Sequence, residues 1–308
     1  MKSGQGDLQK ATGGRGLRES PSSTGGPPSD VLSSERRSEY MMVNLSGYRF
    51  VDLPDRDQLK APLLDLCLSL ELKGTILLSH NGINFFVSGT EEATDSLIEY
   101  FDLDTRLAGI PTKLSRSDYQ PFRRMLVKCK NEIISLGRDD IRPSELTGPY
   151  IAPKELQNML DEGQEVLLLD TRNDYETRVG IFEGAINLDI SSFRQFPQAI
   201  ESLPEEYKSM TLVMYCTGGI RCEKASAVMM KEGFEDVRQL EGGILGYFEQ
   251  CGGTYWEGDC FVFDQRVALN PNLEETEFEM CFKCREPLSS DEQMSDDYVI
   301  GQHCPYCV

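Results

Sequence analysis

No apolar run in the 308-residue sequence approaches the roughly 18–20 residues that cross a bilayer, and the amino terminus lacks the apolar h-region of a secretory signal. The expectation is a soluble, intracellular, cytoplasmic protein with no membrane partner. Histidine is scarce. The two present, His80 and His303, stand in different regions, which argues against a two-histidine, one-carboxylate iron site within one domain. No G-x-G-x-x-G opens a helix, so the sequence carries no NAD or flavin motif of the dinucleotide-binding kind. Basic residues are outnumbered, 31 against 51 acidic, for a net charge of -20. Such a chain is not drawn to phosphate or anionic lipid without specificity, so any nucleic-acid partner has to meet a local basic patch.

Cysteine, by contrast, is plentiful. There are ten, four of them in two C-x-x-C pairs, a usage that points to metal and thiol chemistry in a reducing compartment rather than to a disulfide framework. The length allows about two domains of roughly 100–200 residues each. Residues 1–39 are rich in Ser, Gly, Pro and charge and too poor in large apolar residues to offset the entropy of ordering, so they read as a disordered leader. A plastid or mitochondrial transit peptide is the alternative, against which Asp7, Glu19, Asp30, Glu35 and Glu39 count.

From residue 40 to about 145 the pattern predicts β-α-β-β-α-β. "YMMVNLSGYRFVDL" reads as a strand, and Leu59, Leu63, Leu66 and Leu70 recur at helical spacing. "TILLSHNGINFFVSG" reads as two strands turning at Asn81-Gly82, a helix follows over Glu91 to Phe101, and "RRMLVKCKNEIISLG" supplies the last strand. That order is the ferredoxin-like split βαβ motif, so the fold class is α/β. Residues 150–251 instead alternate continuous apolar strands ("EVLLLDT", "AINL", "TLVMYC", "VRQL") with helices near Pro153–Leu160, near Phe193–Leu203, after Arg221 and from Gly243. Such strands predict a parallel sheet covered on both faces, with its site beyond the strand carboxyl ends. Residues 252–308 lose periodicity apart from "CFVFDQRV" and end in a cysteine-rich tail.

The segment "VMYCTGGIRCEKAS" ends an apolar strand in Cys216, runs through Thr217, Gly218, Gly219 and Ile220 to Arg221, and enters a helix near Cys222. Convergent backbone N–H groups, the positive end of a helix and Arg221 all favour a thiolate at Cys216. The competing reading is a buried core cysteine before an ordinary turn. A phosphatase loop is a further rival, but it has five residues between Cys and Arg and here there are four. Cys222 stands either as a resolving thiol for Cys216 or as helix-start packing.

These residues resemble a rhodanese domain. Its early signature is carried by Asp170, Arg172, Glu176, Gly180, Gly184, Ala185 and Asn187, and its closing one by "GFEDVRQLEGGILGY", with Ile181 standing where many members have histidine. The resemblance implies a Cys216 persulfide formed from a sulfane sulfur donor. Taken with "GTILLSHNGINFFVSG", "RMLVKCKNEIISLG", "EGGI" and "FVFDQR", the chain from about residue 40 onward resembles the bacterial tRNA uridine hydroxylases, and a eukaryotic rhodanese-domain branch shares the architecture. That likeness implies a tRNA partner, molecular oxygen as co-substrate, and 5-hydroxylation of the wobble uridine requiring the loop cysteine. The residues alone do not yield oxygen activation, and nothing in the pattern speaks to oligomeric state.

Cys281, Cys284, Cys304 and Cys307 form C-x-x-C pairs 19 residues apart, the spacing of a closed tetrahedral zinc site of structural kind. A redox-active thiol set is the alternative, and His303 beside Cys304 is a substitute ligand. Lys113, Arg116, Arg123, Arg124, Lys128 and Lys130, interleaved with Tyr119 and Phe122, make a local basic footprint suited to RNA. The bland reading is an edge strand that uses charge to prevent pairing. Three functions therefore stand at this level: a tRNA uridine hydroxylase, a thiosulfate or persulfide sulfurtransferase, and a non-enzymatic zinc-stabilised binding or redox-sensing module.

Overall fold

The computed structural model describes residues 41–308; the leader expected over residues 1–39 lies outside the described residues. The chain opens with β1 (Met42–Arg49), α1 (Arg56–Ser69), β2 (Lys73–Ser79), β3 (Gly82–Gly89), α2 (Glu91–Asp102), β4 (Thr112–Ser117) and β5 (Met125–Cys129). Period-2 alternation decides which strand faces are buried: Ile76 and Leu78 of β2 and Ile83, Phe85 and Val87 of β3 point to one side. There they meet Leu63 and Cys67 of α1 and Leu97 and Phe101 of α2. Each such side chain contributes about 1.5–3 kcal/mol when fully removed from water. Helix α2 begins where Thr90 accepts the Ala93 N–H at 3.2 Å, a cap worth about 1 kcal/mol.

The strand order is β4-β1-β3-β2-β5. It corrects two local expectations. The hairpin loop is His80-Asn81, with Ser79 paired to Gly82, one residue earlier than the Asn-Gly signal suggested. The strand that closes the split βαβ motif is β4, antiparallel to β1, whereas the apolar segment after Arg124 forms a fifth strand parallel to β2 at the opposite edge. Strand β4 escaped notice because "TKLSRS" has no buried apolar face, and even Leu114 is exposed.

The second unit consists of β6 (Tyr150–Ile151), α3 (Pro153–Asp161), β7 (Val166–Asp170), α4 (Asp174–Thr177), β8 (Gly180–Phe182), β9 (Ile186–Asn187), α5 (Phe196–Ala199) between two 3-10 turns, β10 (Thr211–Tyr215), α6 (Ile220–Lys231), β11 (Asp236–Leu240) and α7 (Gly243–Cys251). The expected single helix over Phe193–Leu203 is therefore broken into three short turns. Strands β6-β11-β10-β7-β9 form one sheet, parallel throughout. Central strand β10 is buried from Leu212 to Tyr215, because separate apolar clusters cover its two faces. Arg172 is fully buried yet satisfied. It pairs with Asp170 at 2.6 Å, donates to the Gly180 carbonyl at 2.6 Å and lies over the Trp256 ring.

After α7 the chain forms β12 (Trp256–Gly258), which pairs with β8, then the hairpin of β13 (Cys260–Phe261) and β14 (Ala268–Leu269). It ends in a small unit of β15 (Glu279–Met280), β16 (Pro287–Leu288) and α8 (Ser290–Gln293). No helix among the described residues is long and apolar enough to cross a membrane.

Candidate active site

Strand β10 delivers Cys216 to the carboxyl edge of the parallel sheet, and α6 starts four residues later. The turn between them requires glycine at Gly219, whose φ of 101° is left-handed and whose Cβ would stand 3.0 Å from the Tyr48 hydroxyl. Gly218 faces open space. The Gly219 N–H donates to Cys216 Sγ at 3.1 Å, and the positive end of a twelve-residue helix faces the same atom.

Burial pushes the Cys216 thiol up, but a hydrogen bond from Cys222, the Arg221 charge and the N–H groups of Arg221 and Gly219 outweigh it and bring the pKa down to about 6. Burial and the neighbouring Cys216 sulfur push Cys222 well up. The pair is thus a thiolate at Cys216 held by a thiol at Cys222, which also lies 3.7 Å from Thr171 Oγ1.

Arg221 does not grip the sulfur with its side chain. Its guanidinium donates to both oxygens of Glu176, at 2.7 and 2.8 Å, as a buried ion pair, and the Phe263 ring lies 5.7 Å from it. Glu176 was legible only as part of a signature, not as the partner that fixes Arg221, because the two lie 45 residues apart.

Two further groups come from the first unit; local sequence carried no signal for Tyr48 and read Lys113 only as part of the basic patch. Tyr48, on β1, reaches over Gly219 and donates to Glu223 Oε1 at 3.2 Å, a carboxylate that also accepts from Tyr150 and Thr147. Lys113, on β4, lies with its Nζ away from solvent near the start of α7. The contact between units is tightened by Lys224 to Glu132 at 2.6 Å and by Arg266 to Ser115 at 2.9 Å.

The remaining basic residues of the expected patch divide. Arg123, Arg124, Lys128 and Lys130 are exposed, and Arg116 is exposed but paired with Glu91 at 3.1 Å. Arg123 also lines a groove of about 1220 Å³ together with Tyr119, Phe122, Phe263, Phe282 and Arg285. Lys113 stands apart from this group, since the β4 register turns it inward toward the second unit.

In the tail the four sulfurs of Cys281, Cys284, Cys304 and Cys307 lie within 4.8 Å of one another. Neighbouring pairs are 3.5, 3.8 and 3.9 Å apart. A tetrahedral metal with bonds of about 2.3 Å to sulfur needs separations of about 3.8 Å, so the set fits a metal ion. His303 turns its Nδ1 to the Asp297 carbonyl at 2.9 Å and stands outside the cluster.

A cysteine held as an anion at the carboxyl edge of a five-stranded parallel sheet, in a short loop that runs into a helix, defines a rhodanese-type domain. The comparisons agree: residues 152–250 match the rhodanese-like domain, and residues 42–133 match the UPF0176 acylphosphatase like domain. The tRNA uridine(34) hydroxylase of Cupriavidus pinatubonensis is 48% identical over 272 residues, covering 87% of this chain and 96% of the relative. That of Cupriavidus necator is 48% identical over the same shares, and that of a Picosynechococcus species is 41% identical, covering 86% of this chain and 90% of the relative. The chain belongs to the tRNA uridine(34) hydroxylase family.

Proposed function

We propose that this protein is a tRNA-modifying enzyme that hydroxylates uridine 34 at ring carbon five, with molecular oxygen as co-substrate and Cys216 as the thiolate the reaction requires. Family membership supports the reaction, and the observation that carries the residue assignment is the Cys216 sulfur, anionic near pH 7 in a loop built to hold it so. Arg221 and the loop amides stabilise that charge, while Glu176 keeps Arg221 in place. Cys222, whose thiol favours the Cys216 anion, is the candidate to resolve an oxidised form of it. The exposed cations Arg123, Arg124, Lys128 and Lys130 position tRNA phosphates, and the aromatic groove beside Arg123 offers faces on which splayed bases stack. Zinc in the four-thiolate cluster closes its coordination shell and supports the tail fold rather than the chemistry. The place of action is the cytoplasm.

The same thiolate favours a second reading, sulfur transfer. The Cys216 anion would attack the outer sulfur of a sulfane donor, form a persulfide and release the rest of the donor as an anion. Complementation separates the two. In a strain whose tRNA lacks 5-hydroxyuridine, the wild-type protein restores that nucleoside by mass spectrometry and Cys216→Ser does not, though it still binds tRNA. A wild-type protein that restores none yet turns over thiosulfate rapidly defeats the hydroxylase reading and leaves the sulfurtransferase.

A further inference from the structure

Lys113 carries an ammonium that the chemistry above leaves unused. It rises from β4, and its Nζ is closed off from solvent with no hydrogen-bond partner among the described residues. The Nζ lies against the first turn of α7, where a Cβ on Gly242 would stand 2.8 Å from it and one on Gly246 3.0 Å. Those two glycines of "EGGILG" therefore make the space that the ammonium fills. The same turn is bonded to the loop that carries the sulfur. Ile244 N–H donates to the Cys216 carbonyl at 2.9 Å, Leu245 N–H to the Thr217 carbonyl at 3.1 Å, and a Cβ on Gly243 would meet Gly218 N at 2.9 Å. Its location is unfavourable for the fold, because burial disfavours an unpaired cation and the amino end of a helix repels one. Burial accordingly pushes the Lys113 pKa down, opposed through space by Glu249, Cys216, Cys260 and Glu241.

We propose that Lys113, delivered by the first unit, adds positive charge beside the Cys216 loop and so helps Arg221 and the loop N–H groups keep the sulfur anionic, which makes it a positioning residue for the loop rather than part of the RNA-binding patch. The other groups near that sulfur are uncharged or share their charge with a partner. Arg221 lowers the sulfur's pKa but shares its charge with Glu176, Cys222 is a thiol, the Tyr48 hydroxyl donates to Glu223, and burial pushes the Cys260 thiol up to about 12. Glu241 and Glu249 near Lys113 are exposed and make no hydrogen bond to it. Charges kept buried without a partner are concentrated at functional sites. The inference also explains why the thiolate loop is joined to the preceding unit, and it rests on Cys216 being the reacting group.

The test is the pH midpoint of Cys216 alkylation by iodoacetamide, read peptide by peptide by mass spectrometry on the full-length protein without RNA. Lys113→Met and Lys113→Gln are expected to raise the midpoint by about one unit or more, which at pH 6 slows labelling about fivefold. Their melting temperatures should equal or exceed the wild type. Two neutral variants that fold and keep the wild-type midpoint overturn the proposal, and so does a failure of both to fold, which would make Lys113 structural. Because no RNA is present, the midpoint judges Lys113 separately from the hydroxylase reading, which stands or falls on Cys216→Ser in the complemented strain.

Discussion

Replacing Glu176 by glutamine separates the stability of the loop from its reactivity. The carboxylate is fully buried and its partner Arg221 is 5% exposed. It accepts both guanidinium nitrogens, the Asn173 N–H at 3.1 Å and the Thr217 hydroxyl at 3.5 Å. Glu176→Gln keeps the shape but turns one acceptor into an NH₂ facing the guanidinium, so a buried cation loses its counter-charge at a cost of about 3–5 kcal/mol. With roughly 2–4 °C of melting temperature per kcal/mol for a unit of this size, the midpoint should fall by about 10 °C. The thiolate responds in the opposite sense. Arg221 then acts on Cys216 without compensation, so the sulfur's pKa moves below its present value of about 6 rather than above it. Scanning calorimetry gives the first quantity and the pH profile of Cys216 alkylation the second. The pH dependence of stability has a fixed sign. The folded-state pKa of about 6 lies below the ordinary 9.0, so the native state binds fewer protons than the unfolded chain between those values. Stability from this group is complete above about pH 9 and is lost as pH falls through about 6, a slope that Cys216→Ser lacks. A Glu176→Gln protein that melts within about 2 °C of wild type, or whose alkylation midpoint rises, refutes the reasoning.

Two further outcomes are expected. The purified protein should carry about one zinc per chain by elemental analysis, as a single four-thiolate site requires; Cys304→Ser should lose the metal and expose the tail to proteolysis while Cys216 still alkylates normally, and metal-free protein with an unchanged digestion pattern would count against it. Arg123→Glu with Arg124→Glu should weaken tRNA binding and flatten its salt dependence, the log–log slope falling by about one for each phosphate left unneutralised, with the Cys216 midpoint unmoved; equal affinity and equal salt slope would remove these residues from the interface.

Local sequence was enough for features whose physics is local. The C-x-x-C pairs state their spacing outright, the apolar strand into Cys216 followed by two glycines states a loop at a strand end, and the helix expected over Glu91 to Phe101 falls one residue short of α2. Where a strand has no apolar face, as in Thr112–Ser117, periodicity was silent and the pairing with β1 decided the matter. Charge behaved likewise. Lys113 and Arg123 look alike among the basic residues, yet Arg123 is exposed and Lys113 is turned by the sheet register toward Gly242 and Gly246, far along the chain. Arg221 was expected to favour the thiolate by its charge; that Glu176 holds its guanidinium became visible only when the fold brought the two together. Which residues exist, and at what spacing, is a property of the chain alone. Which charges remain uncompensated depends on what long-range packing places beside them and on how much water it removes, and that only the tertiary structure decided.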